Sequence, residues 1–250
     1  MKMEFFGEGP ALAVEGENRL LIVADLHFGI EADLAAHGMH FRSRSTDRLE
    51  RLMKIIDLAD PDLLVLLGDI KHSIPSLTRQ EYVELPHILG TIRDRIPLKL
   101  FPGNHDIGIE SYLHKTELQP KEGAILDGVG YLHGHMYPSP RLAGHLMIIG
   151  HHHPMLFLKD EVGCALQTPA YLRADLDTGK LGMDVHAENT PTRVLFMPSF
   201  NEIAGHDIHQ IVRNPFSPLS RCMKEEGAEI ILADGTYIGS LSSVQSDETT

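Results

Sequence analysis

Five short polar clusters in this chain carry side-chain types that bind metals: Asp25-Leu26-His27, Asp69, Asn104-His105-Asp106, His133-Gly134-His135 and His151-His152-His153. Carboxylates, imidazoles and one amide oxygen, with no thiolate among them, suit Mn²⁺, Fe or Zn²⁺ better than copper or a structural zinc. One ion would not use so many donors. Two divalent ions about 3.5–4 Å apart, joined by a carboxylate, would use them, as in two-metal hydrolytic sites. The 16 histidines fit this reading, since many sit beside Gly, Asp or Asn and histidine is the commonest metal ligand. In Asp25-Leu26-His27 and His151-His152-His153 the outer residues are two apart. On an extended backbone both would point to one face.

Each cluster follows an apolar run that reads as a buried strand: Leu20 to Ala24, Leu63 to Leu67, Leu98 to Phe101, Gly130 to Leu132 and Leu146 to Ile149. In open α/β sheets ligands bind beyond the carboxyl ends of the strands, so clusters spread over half the chain can meet on one rim. Between the runs, Ser45 to Leu58 is predicted helical from Leu49, Leu52, Met53 and Ile56. Tyr82 to Asp94 reads as a second helix, with Pro86 obscuring its start. The second half is richer in strand signals: Met155 to Leu158, Ala165 to Thr168, Ala170 to Ala174 and Val194 to Met197. A hairpin joins Glu229 to Leu232 with Tyr237 to Leu241. The pattern predicts an α/β fold in one domain, residues 1–241, followed by a polar tail, 242–250.

The chain has 250 residues, 42% hydrophobic and 23% charged, an ordinary soluble composition. No membrane-length apolar run and no signal-peptide h-region stand out, so the expected location is the cytoplasm. Cys164 and Cys222 form no CxxC pair and are read as structural. A net charge of −13 excludes a broadly basic nucleic-acid-binding surface.

The ordered motifs Asp25-Leu26-His27, Gly68-Asp69, Gly103-Asn104-His105-Asp106, His133 and Gly150-His151-His152-His153 resemble the calcineurin-like metallophosphoesterase family. The segments ADLHFGIE, LLGDIKHS, GNHD, HGHMYP, GHHHP and MPSFN are similar to its branch related to the double-strand-break-repair nuclease subunit. The resemblance covers roughly residues 1 to 215 and implies a four-layer sandwich, two mixed β-sheets flanked by helices. It implies that Asp25, His27, Asp69 and His153 hold one metal, and that Asp69, Asn104, His133 and His151 hold another. Mn²⁺ is the expected ion, with Fe or Zn²⁺ as alternatives. His135 is an alternative to His133. A metal-bridging hydroxide would attack phosphorus, with His105 as general acid and Asp106 orienting it. The family often carries an acidic residue or Asn shortly after Gly-Asp. Here His72 is the candidate for that place. The segment from Met197 to Asn201 is expected back near the site.

Branch resemblance points to phosphodiester bonds in DNA, with DNA-repair proteins as partners and no membrane. Arg44, Arg48 and Arg51 recur at i, i+4, i+7 and could contact a phosphate backbone. Interleaved Asp47 and Glu50 offer the other reading, a solvated, self-paired face. The alternatives in substrate are a monoester or a small diester. A non-catalytic protein-binding scaffold is the alternative in class, disfavoured because every ligand position and His105 are present.

Overall fold

The structure, a computed structural model, describes residues 1–159, 165–183 and 191–244. Cys164, His186 and the tail beyond 244 lie outside the described residues. A five-stranded sheet runs in chain order through β1 (Lys2–Phe5), β2 (Leu12–Glu15), β3 (Arg19–Ala24), β4 (Leu63–Leu67) and β5 (Leu98–Leu100). β1, β2 and β3 pair antiparallel, whereas β3, β4 and β5 are parallel. The parallel crossovers need helices, and the chain supplies α1 (Ile30–Ala36) with α2 (Ser45–Ala59), then α3 (Arg79–Arg95).

The second sheet has nine strands. They are β6 (Ala124–Leu126), β7 (Val129–Leu132), β8 (Leu146–Ile149), β9 (Pro154–Lys159), β10 (Ala165–Asp175), β11 (Arg193–Phe196), β12 (His206–Asp207), β13 (Glu229–Leu232) and β14 (Tyr237–Ser240). β7, β8 and β11 are parallel, so the metal-type clusters after β7 and β8 leave the same edge. Two short helices follow β12, α4 (Ile208–Arg213) and α5 (Pro218–Cys222).

Strand alternation builds the layers. Leu21, Val23, Leu64 and Leu66 face α2 and α3, while Leu20, Ile22, Ala24, Val65 and Leu67 face the second sheet. There they meet Tyr131, Ile148, Tyr171 and Leu195. The far face of that sheet packs Met147, Ile149, Leu172 and Phe196 against Ile208, Leu219 and Cys222. The order is therefore helices, sheet, sheet, helices, as expected of a four-layer sandwich. Among the described residues, no helix is long and apolar enough to cross a membrane.

Two of the expected elements take different bounds. α3 begins at Arg79 because Thr78 and Glu81 form a capping box: Thr78 Oγ1 accepts the Glu81 N–H at 3.2 Å and the Glu81 carboxylate accepts the Thr78 N–H at 2.7 Å. Pro86 stays inside the helix on its exposed side, where water can satisfy the carbonyl it leaves free. The two strands expected around Pro169 are one strand, β10. Its first half pairs β9 and its second half pairs β11 and β13, so the residue without an N–H sits at the changeover.

Candidate metal centre

The loops after β3 and β4 carry the first two clusters and keep pairing past the strand ends. The Asp25 N–H donates to the Gly68 carbonyl at 3.1 Å, His27 N–H to Asp69 at 2.8 Å and Phe28 N–H to Ile70 at 2.8 Å. The backbone is not extended there. Asp25, His27, Asp69, His151 and His153 all have positive φ, from 45° to 70°. The expectation that these pairs face one way because they lie on strands is corrected accordingly. Left-handed turns aim the side chains, at a cost of order 1–3 kcal/mol per residue. The close approach also demands glycine: a Cβ on Gly103 would lie 2.1 Å from Asp69 Oδ1, and one on Gly150 would lie 2.7 Å from Asp25 Oδ2.

Three donor groups result: two share Asp69, and His27, His72 and His105 form the third. Asp25, His27, Asp69 and His153 present ligand atoms within 4.8 Å of one another, and so do Asp69, His133 and His151. The Asp69 Oδ2 atom faces both, 3.8 Å from His27 Nε2 and 3.4 Å from His133 Nε2. In the first group His153 Nε2 is 3.2 Å from Asp25 Oδ1 and 3.5 Å from His27 Nε2. In the second, Asn104 Oδ1 lies 3.2 Å from His133 Nε2. His133 donates from Nδ1 to the Leu67 carbonyl at 2.8 Å, which leaves Nε2 to face Asp69 and Asn104. His135 lies beside this group, its ring 5.2 Å from that of His133 and 6.0 Å from that of His151. Its Nδ1 atom is buried without a hydrogen-bond partner.

The electrostatics suit cations. Burial pushes Asp69 up, but His133, His27 and His105 outweigh it and hold the carboxyl well below the usual range. Burial, with His153, His105 and His72, keeps His27 well below its ordinary value despite Asp69. Burial and His133 push His151 down to about 2. An anionic Asp69 therefore faces neutral His27 and His151. Among the described residues, no lysine or arginine forms an ion pair with Asp25 or Asp69. Hard carboxylate and borderline imidazole donors with one amide oxygen fit divalent first-row ions.

His133 is the exception. Burial disfavours its charged form, but Asp69 and Asp25 outweigh this and push it up to about 10. At pH 7.5 the metal-free protein thus holds a proton that a cation must displace. Metal uptake should release about one proton, and apparent affinity should rise about tenfold per pH unit below 10. Calorimetry in buffers of different ionisation enthalpy measures the proton. A pH-independent affinity would contradict it.

His105 sits outside the two groups that share Asp69, grouped instead with His27 and His72. Its Nδ1 donates to the His72 carbonyl, its ring stacks on His72 at 5.2 Å, and its backbone N–H donates to Asp69 Oδ1 at 2.8 Å. The expectation that Asp106 orients this ring is corrected. Buried Asp106 accepts from the Ile70 and Gly103 N–H groups at 2.9 and 2.8 Å, and so clamps the two motif loops together. His72 takes the orienting place through its backbone carbonyl and its ring. Its Nδ1 lies 3.2 Å from His27 Nδ1, and its Nε2 lies 3.7 Å from Asp33. Glu81 fixes the loop by accepting the His72 and Ser73 N–H groups at 2.9 and 2.7 Å.

The segment after β11 does return to the site. Ser199 Oγ donates to the Asp25 carbonyl at 2.8 Å, and Asn201 Nδ2 to the Leu26 carbonyl at 3.1 Å. His206 stacks on His153 at 5.8 Å and donates its N–H to the His153 carbonyl at 2.8 Å. Nothing near His206 in sequence marks it, because a two-residue strand brings it there. His152, between two candidate ligands, is buried and bonded to Ser217 Oγ at 2.7 Å.

The arginine stripe fits the self-paired reading only at Arg44, which lies 3.7 Å from Asp47. The Arg48 side chain is 0% exposed, 3.3 Å from Glu31 and 3.1 Å from Glu202. Arg51 donates to the Phe200 carbonyl and lies over the Phe200 ring. Arg44 is 47% exposed and paired with Glu202 at 3.3 Å. Glu31 and Glu202, distant in sequence, draw the stripe inward. Arg48→Ala should cost about 3–5 kcal/mol, because it strands a buried carboxylate. That lowers the melting temperature by roughly 10 °C. A shift under about 2 °C in thermal unfolding would refute the pairing.

A family model described as calcineurin-like phosphoesterase matches residues 18–160, more than half of the chain. Among solved structures, nuclease MPE of Pseudomonas putida is 20% identical, with a TM-score of 0.58 and coverage of 92% of each chain. Yfce, a phosphoesterase from E. coli, is 16% identical, with a TM-score of 0.35, covering 56% of this chain and 73% of its own. The first likeness shows a shared fold. No curated protein matches the sequence.

Proposed function

The chain belongs to the calcineurin-like phosphoesterase family, and on that premise we propose that it cleaves phosphodiester bonds in DNA at a pair of divalent cations sharing Asp69. It is a hydrolase of phosphoester bonds that works with divalent metal. The observation that carries the paired centre is Asp69 Oδ2, which faces His27 and His133 from between the two donor groups. Asp25, His27, Asp69 and His153 would hold one ion, Mn²⁺ in this reading. Asp69, Asn104, His133 and His151 would hold the other. When bound, the ions supply Lewis acidity and lower the pKa of water.

The chain's own groups do the rest. His105 donates from Nδ1 to the His72 carbonyl, so its Nε2 is left for substrate and delivers a proton to the leaving oxygen. The N–H bond to Asp69 Oδ1 ties that imidazole to the shared carboxylate. Asp106 holds the loops in register and does not touch the ring. His135, whose ring lies beside those of His133 and His151, is the candidate contact for a phosphoryl oxygen.

The choice of DNA is supported by the branch-like motifs and by a structural neighbour whose name is nuclease. Partners from DNA repair belong to the same reading. One observation favours a smaller ester: Arg48 and Arg51 are engaged with acidic residues and backbone, so α2 offers no stripe of free cations. Parallel assays with Mn²⁺ separate the two. Plasmid DNA and bis(4-nitrophenyl) phosphate should be cleaved faster than 4-nitrophenyl phosphate. Monoester turnover without diester turnover would remove the DNA reading.

A further inference from the structure

One edge of the metal centre carries a column of rings. Phe196 lies in the core, fully buried, and His152 packs edge-on against it at 4.7 Å. Phe216 stacks on His152 at 4.9 Å with 29° between the planes, and touches the candidate ligand His151 at 5.4 Å. It is also 43% exposed. Its neighbour Ser217 is fixed twice, as the N-cap of α5 and as the partner of His152 Nε2 at 2.7 Å. The outermost ring of the column is thus held from below and open above, beside a residue that would hold metal.

Exposed apolar side chains scattered over a surface need no explanation. Leu58, Tyr82 and Val83 on the outer helices are of that kind. Phe216 differs because its ring is anchored and lies next to the reacting centre. A rigid aromatic face takes up a nucleobase at little conformational cost, whatever the base, and base–aromatic stacking is a main source of affinity where free cations are few. We infer that Phe216 is the stacking platform for the base adjoining the scissile phosphate, and so a specificity-determining residue for nucleotide over simple alkyl esters. This rests on the DNA reading above.

The test compares two DNA strands, one with all bases and one whose central tract carries tetrahydrofuran abasic units. The wild type should cut the base-bearing tract with kcat/KM about tenfold or more above the abasic tract. Phe216→Leu, which keeps apolar packing on His152, should bring that ratio close to one. Phe216→Tyr and Phe216→Trp should restore it, which a merely structural role would not require. Thermal unfolding of each variant confirms that it is folded. A wild type without preference, or a Phe216→Leu protein that keeps it, overturns the inference while leaving the DNA reading intact. If neither strand is cut and 4-nitrophenyl phosphate is turned over, both fall.

Discussion

Asp69→Ala should empty both cation positions at once and lower turnover by at least about a thousandfold. Its Oδ2 faces donors of both groups, and its Oδ1 holds the His105 N–H. Removing it takes a ligand from each ion and frees the loop that carries the acid. It also removes the anion that opposes His27, His133 and His105 at short range. Asp69→Asn separates charge from shape, since the amide keeps one acceptor oxygen but cannot serve two cations equally. Calorimetry with Mn²⁺ should show two sites in the wild type and none of comparable affinity in the alanine variant. Loss of one ion with the other still tightly bound would show that the carboxylate is not shared.

His105→Ala should give the opposite pattern. The imidazole lies outside the two donor groups that share Asp69, so metal binding there should persist. Turnover of a diester with a poor leaving group should fall about 10²- to 10⁴-fold. An aryl diester, whose leaving oxygen needs no proton, should lose far less. The ring's position depends on the His72 carbonyl and on stacking against the His72 ring. An equal loss on both esters would mean that His105 positions substrate and does not supply the proton.

The parts of the site that sequence revealed are those where chemistry and strand ends coincide. Asp25, Asp69, Asn104, His133 and His151 each follow a short apolar run, and parallel strands deliver their ends to one rim. Gly103 and Gly150 stand in the same motifs, and the structure gives the reason: a Cβ on either would meet a carboxylate. The backbone conformation was not legible. Alternation along a strand suggested extended pairs, whereas the clusters use left-handed turns that only the two loops packed together can hold.

Residues whose roles depend on distant partners were misread or missed. Arg48 and Arg51 looked like a stripe because helical spacing says which residues share a face, not what covers it. Glu202, about 150 positions away, covers it. Asp106 sits beside His105 in sequence, yet its carboxylate turns back to Ile70 and Gly103. His206 and Phe216 reach the centre through a two-residue strand and a loop capped by Ser217. β1 and β2 escaped notice because each is four residues long and their chemistry is silent. In each case the deciding contact lies far along the chain, where local pattern has no access.

Anomalous diffraction at the manganese edge, from crystals grown with Mn²⁺, tests the central claim most directly. Two peaks are expected, one among Asp25, His27, Asp69 and His153 and one among Asp69, Asn104, His133 and His151, with Asp69 contacting both. A single peak, or two peaks that share no contact with Asp69, would contradict the account.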